Sequence, residues 1–198
     1  MEIEFSPDLN KLAEKIKQDD AKIELGKAYE FIIKTLKEYV LLREEYYNLL
    51  AIWIIGAVNI KNFNTYPYLF INAMKGSGKT RLLKLVTKLS GGDVLNSLTE
   101  AVLFRTEGPL GIDEFEGVNK KGGENLRELL NSAYKKGIKV KRMKKVKTIT
   151  GEEQQVEEFD VYRPIAMANI WGMEEVLSDR SITLILERSA KSNVVNLI

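Results

Sequence analysis

The chain has 198 residues, is 44% hydrophobic and carries a formal charge of +2, enough apolar material for one globular domain with a small appendage. It contains neither cysteine nor histidine, which excludes disulfides, thiolate chemistry, Cys-ligated zinc and a histidine general base. Any chemistry must therefore run on carboxylates, Lys, Arg, hydroxyls and a hard cation.

The opening residues Met1–Phe5 do not form a secretory leader. No window is apolar enough to span a bilayer. The expectation is an intracellular protein, cytoplasmic in its host, with no membrane partner. Ser6-Pro7 reads as an N-cap followed by Pro at the first helical position, with Leu9, Leu12, Ala13 and Ile16 recurring at helical spacing. A second helix is predicted over about Lys22 to Tyr39, with Ile32, Ile33 and Leu36 inward. A third runs from about Glu44 to Val58 on the stripe Tyr46, Leu49, Leu50, Trp53, Ile54 and Ala57. Trp53 reads as core packing. The polar stretch Lys61–Tyr66 and Pro67 close an N-terminal helical segment, residues 1–66.

From Tyr68 the pattern alternates strand and helix, which predicts an α/β fold with a parallel sheet. Candidate strands are Tyr68–Asn72, Val94–Leu98, Leu110–Asp113, Pro164–Ala168 and Ser181–Leu186. Candidate helices are Thr80–Leu89, Glu100–Arg105, Glu124–Lys136 and Glu174–Leu177, with Gly117–Gly123 as a loop.

Between the first strand and its helix lies Lys75-Gly76-Ser77-Gly78-Lys79-Thr80-Arg81. A strand, a Gly-rich turn ending in Gly-Lys-Thr and a helix are the layout of a phosphate-binding P-loop. Backbone N–H groups and the helix dipole favour an anion there, and glycines let the backbone close around it. Lys79 would reach the β/γ-phosphates and the Thr80 hydroxyl would hold Mg²⁺. Ala73 stands where the full pattern has its first Gly. A Gly-rich loop with a helix-capping Thr would leave the same letters.

Downstream, Leu110-Gly111-Ile112-Asp113-Glu114 is a short apolar strand ending in two carboxylates. Asp113 suits a Mg²⁺ site through water, and Glu114 suits a base for an attacking water. Asn169 ends another apolar strand, where an amide can place that water without charge; the alternative is a loop-capping Asn. Arg180 falls between a helix and the last strand, placed either to reach a neighbour's γ-phosphate or to pair with Asp179.

Eight basic residues lie between Lys135 and Lys147, among them Lys141, Arg142, Lys144, Lys145 and Lys147; five acids follow, Glu152 to Asp160. With apolar residues alternating in both runs, about Lys139 to Asp160 reads as a long β-hairpin with its turn within Thr148–Gln154. Two accounts stay open: cross-strand Lys–Glu pairing, or a basic arm for nucleic-acid phosphate.

Together these segments resemble the AAA+ ATPase domains of primase- and helicase-associated proteins of plasmids, viruses and integrated mobile elements, relatives of superfamily 3 helicases. The resemblance covers about Tyr39 to Arg188 and also rests on Tyr39-Val40-Leu41-Leu42, the helix around Trp53, Leu130-Asn131-Ser132 and Leu177-Ser178-Asp179-Arg180-Ser181-Ile182. It implies a P-loop NTPase core, residues 67–198, with a five-stranded parallel sheet in a three-layer fold and ATP with Mg²⁺ at the interfaces of a homo-oligomer, suspected to be a hexameric ring. Lys79 and Thr80 match Walker A, Asp113 and Glu114 Walker B, Asn169 sensor 1 and Arg180 the arginine finger, while the hairpin resembles the pre-sensor-1 insertion. The implied activity is that of a DNA helicase or translocase acting on single-stranded or duplex DNA in mobile-element replication. The alternative is a nucleotide-sensing module that assembles with a primase or initiator without unwinding. The short tail after Arg188 implies a minimal ATPase, a fragment, or N-terminal helices doing a lid's packing.

Overall fold

The computed structural model describes residues 25–96, 98–113, 124–148 and 151–187. The predicted first helix, the Gly117–Gly123 loop, Glu114 and the tail after Arg188 lie outside these. In chain order the elements are α1 (Leu25–Tyr39), α2 (Glu44–Val58), β1 (Tyr68–Ala73), α3 (Lys79–Leu89), β2 (Asp93–Leu95), α4 (Glu100–Arg105), β3 (Leu110–Ile112), α5 (Glu124–Ala133), β4 (Lys139–Thr148), β5 (Gly151–Asp160), β6 (Ile165–Asn169), α6 (Glu175–Ser178) and β7 (Ser181–Leu186). A single 3₁₀ turn, Ile60–Asn62, follows α2.

Five strands form one sheet in the order β2-β3-β6-β1-β7. Every pairing in it is parallel. Parallel neighbours need crossover connections, and the helices that make them cover both faces. The strands accordingly show the alternation of a sheet buried twice. Leu69, Ile71, Ala166, Ala168 and Leu184 face a core shared with α1, α2 and α3, through Leu36, Leu50, Ile54, Leu82 and Val86. Tyr68, Phe70, Leu110, Ile112, Ile165 and Met167 face a second core with Leu103, Leu129, Leu130 and Leu177. This is the α/β fold with a five-stranded parallel core that the alternating pattern predicts.

The face beneath α3 carries small residues: Gly111 on β3, Ala166 and Ala168 on β6. Gly111 needs to be small. A Cβ on it would collide with Thr87 Oγ1 of α3 and sit 2.9 Å from Val94 Cγ2. The weak apolar character of Leu110-Gly111-Ile112 thus reflects the close approach of a helix, and all three residues are buried.

α2 matches its predicted bounds. Trp53 is buried, with Nε1 donating to Pro67 O at 2.9 Å. Tyr47, outside the predicted stripe, is also buried and donates its hydroxyl to Val40 O at 2.8 Å. β2 is three residues long rather than five, because its ladder to β3 spans only Asp93–Leu110 to Leu95–Ile112. The last predicted turn of α5 is instead tied to other segments: Thr65 bridges Lys135, and Lys136 N donates to Asn64 O at 2.8 Å.

Replacing Gly111 with Ala is expected to destabilise the fold by about 1–3 kcal/mol through overpacking. In a Thr87→Ala background the penalty should shrink, since the colliding hydroxyl is gone. Urea unfolding of the four proteins checks this. Equal penalties in both backgrounds would contradict the contact.

Candidate functional site

Ligands of open parallel sheets bind beyond the carboxyl ends of the strands. Three of the sequence-predicted groups lie there. The Gly-rich loop leaves β1 after Ala73, Asp113 follows β3, and Asn169 ends β6, which lies between β1 and β3. β1 and β3 are therefore two strand spacings apart, about 10 Å. The long side chain of Lys79 crosses that gap: its Nζ is 3.7 Å from Asp113 Oδ1, with the two side chains only 13% and 12% exposed.

The loop's backbone conformation suits an anion. Gly76 and Gly78 take positive φ, 81° and 85°, where an L side chain is strained. A Cβ on Gly78 would meet nothing within 4 Å, so this glycine is required by backbone conformation rather than by crowding. α3 begins at Lys79 without a side-chain cap on Gly78 and without an acidic residue in its first turn. By contrast, α4 is capped, with Val102 N donating to Thr99 Oγ1 at 3.3 Å. An uncapped N-terminus presents orphan N–H donors and the positive end of the dipole. Ser77 Oγ is buried with no hydrogen-bond partner among the described residues. Such a group is costly unless a ligand or water satisfies it.

The residues at this edge suit a nucleotide with its cation. The loop offers donors, Lys79 a cation and Ser77 an unsatisfied hydroxyl. Thr80, half-buried in the first turn of α3, and Asp113 supply hard oxygen ligands. Lys75 lies exposed on the loop and Arg81 is half-buried on α3.

Asn169 is 2% exposed. Its Oδ1 accepts from Ile170 N at 2.7 Å and Trp171 N at 3.4 Å, the loop-capping geometry that was its alternative reading. The cap uses the oxygen; the amide N–H groups are the part suited to a ligand. Trp171, which no pattern marked, stands 67% exposed just beyond this turn.

Arg180 lies elsewhere. Its Nη1 donates to Asn131 O at 2.9 Å and Asn131 Oδ1 at 2.6 Å, and its guanidinium lies 5.5 Å from the Tyr134 ring centroid. It is thus held by α5 and the turn after it, within its own chain. Its contact is with Asn131 rather than with Asp179, the alternative partner.

The basic and acidic runs form an antiparallel hairpin, Lys139 pairing with Asp160 through to Thr148 with Gly151. The strands run into the predicted turn, β4 to Thr148 and β5 from Gly151. Cross-strand pairing is present: Lys139 and Lys141 each lie 3.2 Å from Glu158, and Lys144 is 3.7 Å from Glu157. The two lysines hold the Glu158 carboxyl below its ordinary range. Lys144 and Lys145 are exposed, as is the apolar pair Met143 and Val156. Arg142 turns toward α4, and the side chain of Lys147 lies outside the described residues.

No protein-family model and no curated protein matches the chain. Among solved structures, the chain is similar to the JCV helicase at a TM-score of 0.51 and 15% identity, over 91% of this chain and 51% of that one. Two further JCV helicase structures align at 17% and 18% identity, again over 91% of this chain, covering 58% and 57% of theirs. One has a bound acetamide compound and the other an inhibitor; at TM-scores of 0.42 and 0.44 they add nothing to the argument. The chain spans about half the length of the helicase chains it matches. At these identities the likeness shows the fold. Among the described residues no helix is long and apolar enough to cross a membrane.

The Lys79–Asp113 pair gives a test that needs no ligand. Removing Asp113 alone leaves a largely buried ammonium without this partner. A double-mutant cycle of Lys79→Met and Asp113→Asn is expected to show a favourable coupling of about 0.5–3 kcal/mol in urea unfolding. Additive effects would mean the two groups do not interact in solution.

Proposed function

We propose that this chain binds and hydrolyses ATP with Mg²⁺ at the carboxyl edge of its sheet. The observation that carries the reading is the Lys79–Asp113 pair, closed over the end of β6 beside an uncapped helix N-terminus and an unpartnered Ser77 hydroxyl. Loop amides and Lys79 hold the phosphates, while Thr80 and Asp113 hold the cation. Bound Mg²⁺ offsets phosphate charge. Glu114, next in the chain after Asp113, takes a proton from the attacking water, and the Asn169 amide orients that water.

The finer proposal is a ring-forming DNA helicase or translocase. Arg180 then serves a neighbouring subunit's site by exchanging Asn131 for phosphate, stabilising charge on the transferring group. Lys141, Lys144, Lys145 and Lys147 on the hairpin meet nucleic-acid phosphate. The fold shared with a viral helicase, the exposed Lys141, Lys144 and Lys145 along β4 and the exposed Met143–Val156 pair support it.

Lys79→Ala is expected to abolish binding of a fluorescent ATP analogue. Glu114→Gln should bind it normally but turn over ATP at least about a hundredfold more slowly, the scale of a lost general base. Unchanged turnover would remove Glu114 from the mechanism, and unchanged binding by Lys79→Ala would remove the site.

Arg180→Ala should bind ATP yet fail to hydrolyse it, and mixing it with Lys79→Ala protein should restore part of the activity. No rescue in verified mixed oligomers would argue for a nucleotide-sensing module without shared sites.

A further inference from the structure

The hairpin is long, and one face of its base is fastened to the short helix α4. Phe159 of β5 stacks on Phe104 of α4, with ring centroids 4.3 Å apart and planes 14° from parallel. Arg142 of β4 lies over the same Phe104 ring at 5.7 Å, and its Nε donates to Glu100 Oε2 at 3.2 Å. Glu100 and Phe104 are one turn apart on α4, so they present one face to the hairpin. In the ladder Val140 faces Phe159 and Arg142 faces Glu157, so Arg142 and Phe159 are a diagonal pair on the side of the hairpin turned toward the body. A second fastening follows at the foot of β5. Arg163 is buried, and its Nη1 donates to the Thr106 carbonyl and to Thr106 Oγ1 at 2.9 Å, at the C-cap of α4.

α4 is in turn tied to the candidate nucleotide site. It follows β2, whose last carbonyl, Leu95 O, accepts from Asp113 N at 2.9 Å.

We infer that α4 is the seat that fixes the direction of the hairpin relative to the nucleotide site. Glu100 and Phe104 act as positioning residues, and Arg142 belongs to the seat rather than to the nucleic-acid contact. One guanidinium lies over Phe104 and meets Glu100 through Nε, and its planar fork suits the two contacts together better than a compact ammonium. This partitions the basic run: one cation holds the arm while lysines remain along it. The role of the seat in binding nucleic acid rests on the reading of the hairpin given above. The fastening itself does not.

The test uses the absence of cysteine from the chain. Glu45→Cys on α2 and Gln154→Cys on β5, both exposed positions, take spin labels for a distance distribution by pulsed electron paramagnetic resonance, without nucleotide or DNA. The parent should give one narrow distribution. Phe104→Ala, Arg142→Gln and Arg142→Lys should each broaden it, while Phe104→Tyr should keep it narrow. Circular dichroism confirms that each variant is folded; Glu100→Gln, exposed by about a third, supplies a mild variant if Phe104→Ala fails to fold. Distributions as narrow as the parent's in Arg142→Gln and Glu100→Gln would overturn the seat. A protein that binds no nucleotide leaves this measurement intact, so the two readings fail separately. Where single-stranded DNA binding is measurable, Arg142→Gln should leave the salt slope of log K unchanged. A drop of about 0.7, the value of one phosphate contact, would return Arg142 to the nucleic-acid contact and overturn the assignment.

Discussion

The approach of α3 to the sheet is the constraint on which the site depends. A helix can lie close over parallel strands only if the residues beneath it are small, and here they are Gly111, Ala166 and Ala168. Leu82 and Val86 fill the same core from the helix side. That packing fixes the N-terminus of α3 above the carboxyl ends of β1, β6 and β3. Lys79, the first residue of the helix, then reaches Asp113 across the end of β6. A larger residue at position 111 would lift the helix, and the cation would lose its carboxylate.

The same geometry leaves polar groups unsatisfied at the loop before α3. Most buried polar groups in a fold have partners, yet Ser77 Oγ lacks one and α3 starts without a cap. These costs fall where two positive-φ glycines bend the chain; Thr87 Oγ1, facing Gly111, is a further buried hydroxyl without a partner among the described residues. Strain and unmet hydrogen bonds at a loop are features that ligand sites share. The core pays elsewhere through two well-filled layers of aliphatic side chains.

Much of this was legible in the sequence. The strand–loop–helix order around Lys79 and the strand ending at Asp113 are local patterns, and a parallel sheet gathers the ends of its strands at one edge. The α2 helix and the hairpin were legible because their periods, 3.6 and 2, are written in apolar residues. The apparent weakness of β3 was a tertiary effect: Gly111 is small because of Thr87, 24 positions earlier. Arg180 and Arg142 were ambiguous for a similar reason. An arginine's partner is set by packing, and neither Asn131 nor Phe104 stands at a spacing that would announce it. Arg163, buried at the foot of the hairpin, carried no pattern at all.

The claim that ties these features together is that the loop from Gly76 to Lys79 and the first turn of α3 receive nucleotide phosphate. Amide hydrogen exchange with and without Mg²⁺ and ATP tests it most directly. The account predicts slowed exchange at Gly76, Ser77, Gly78, Lys79 and Thr80, with α1 and the exposed face of α2 unaffected. Exchange unchanged across this loop at saturating nucleotide, or protection confined to another surface, would contradict it.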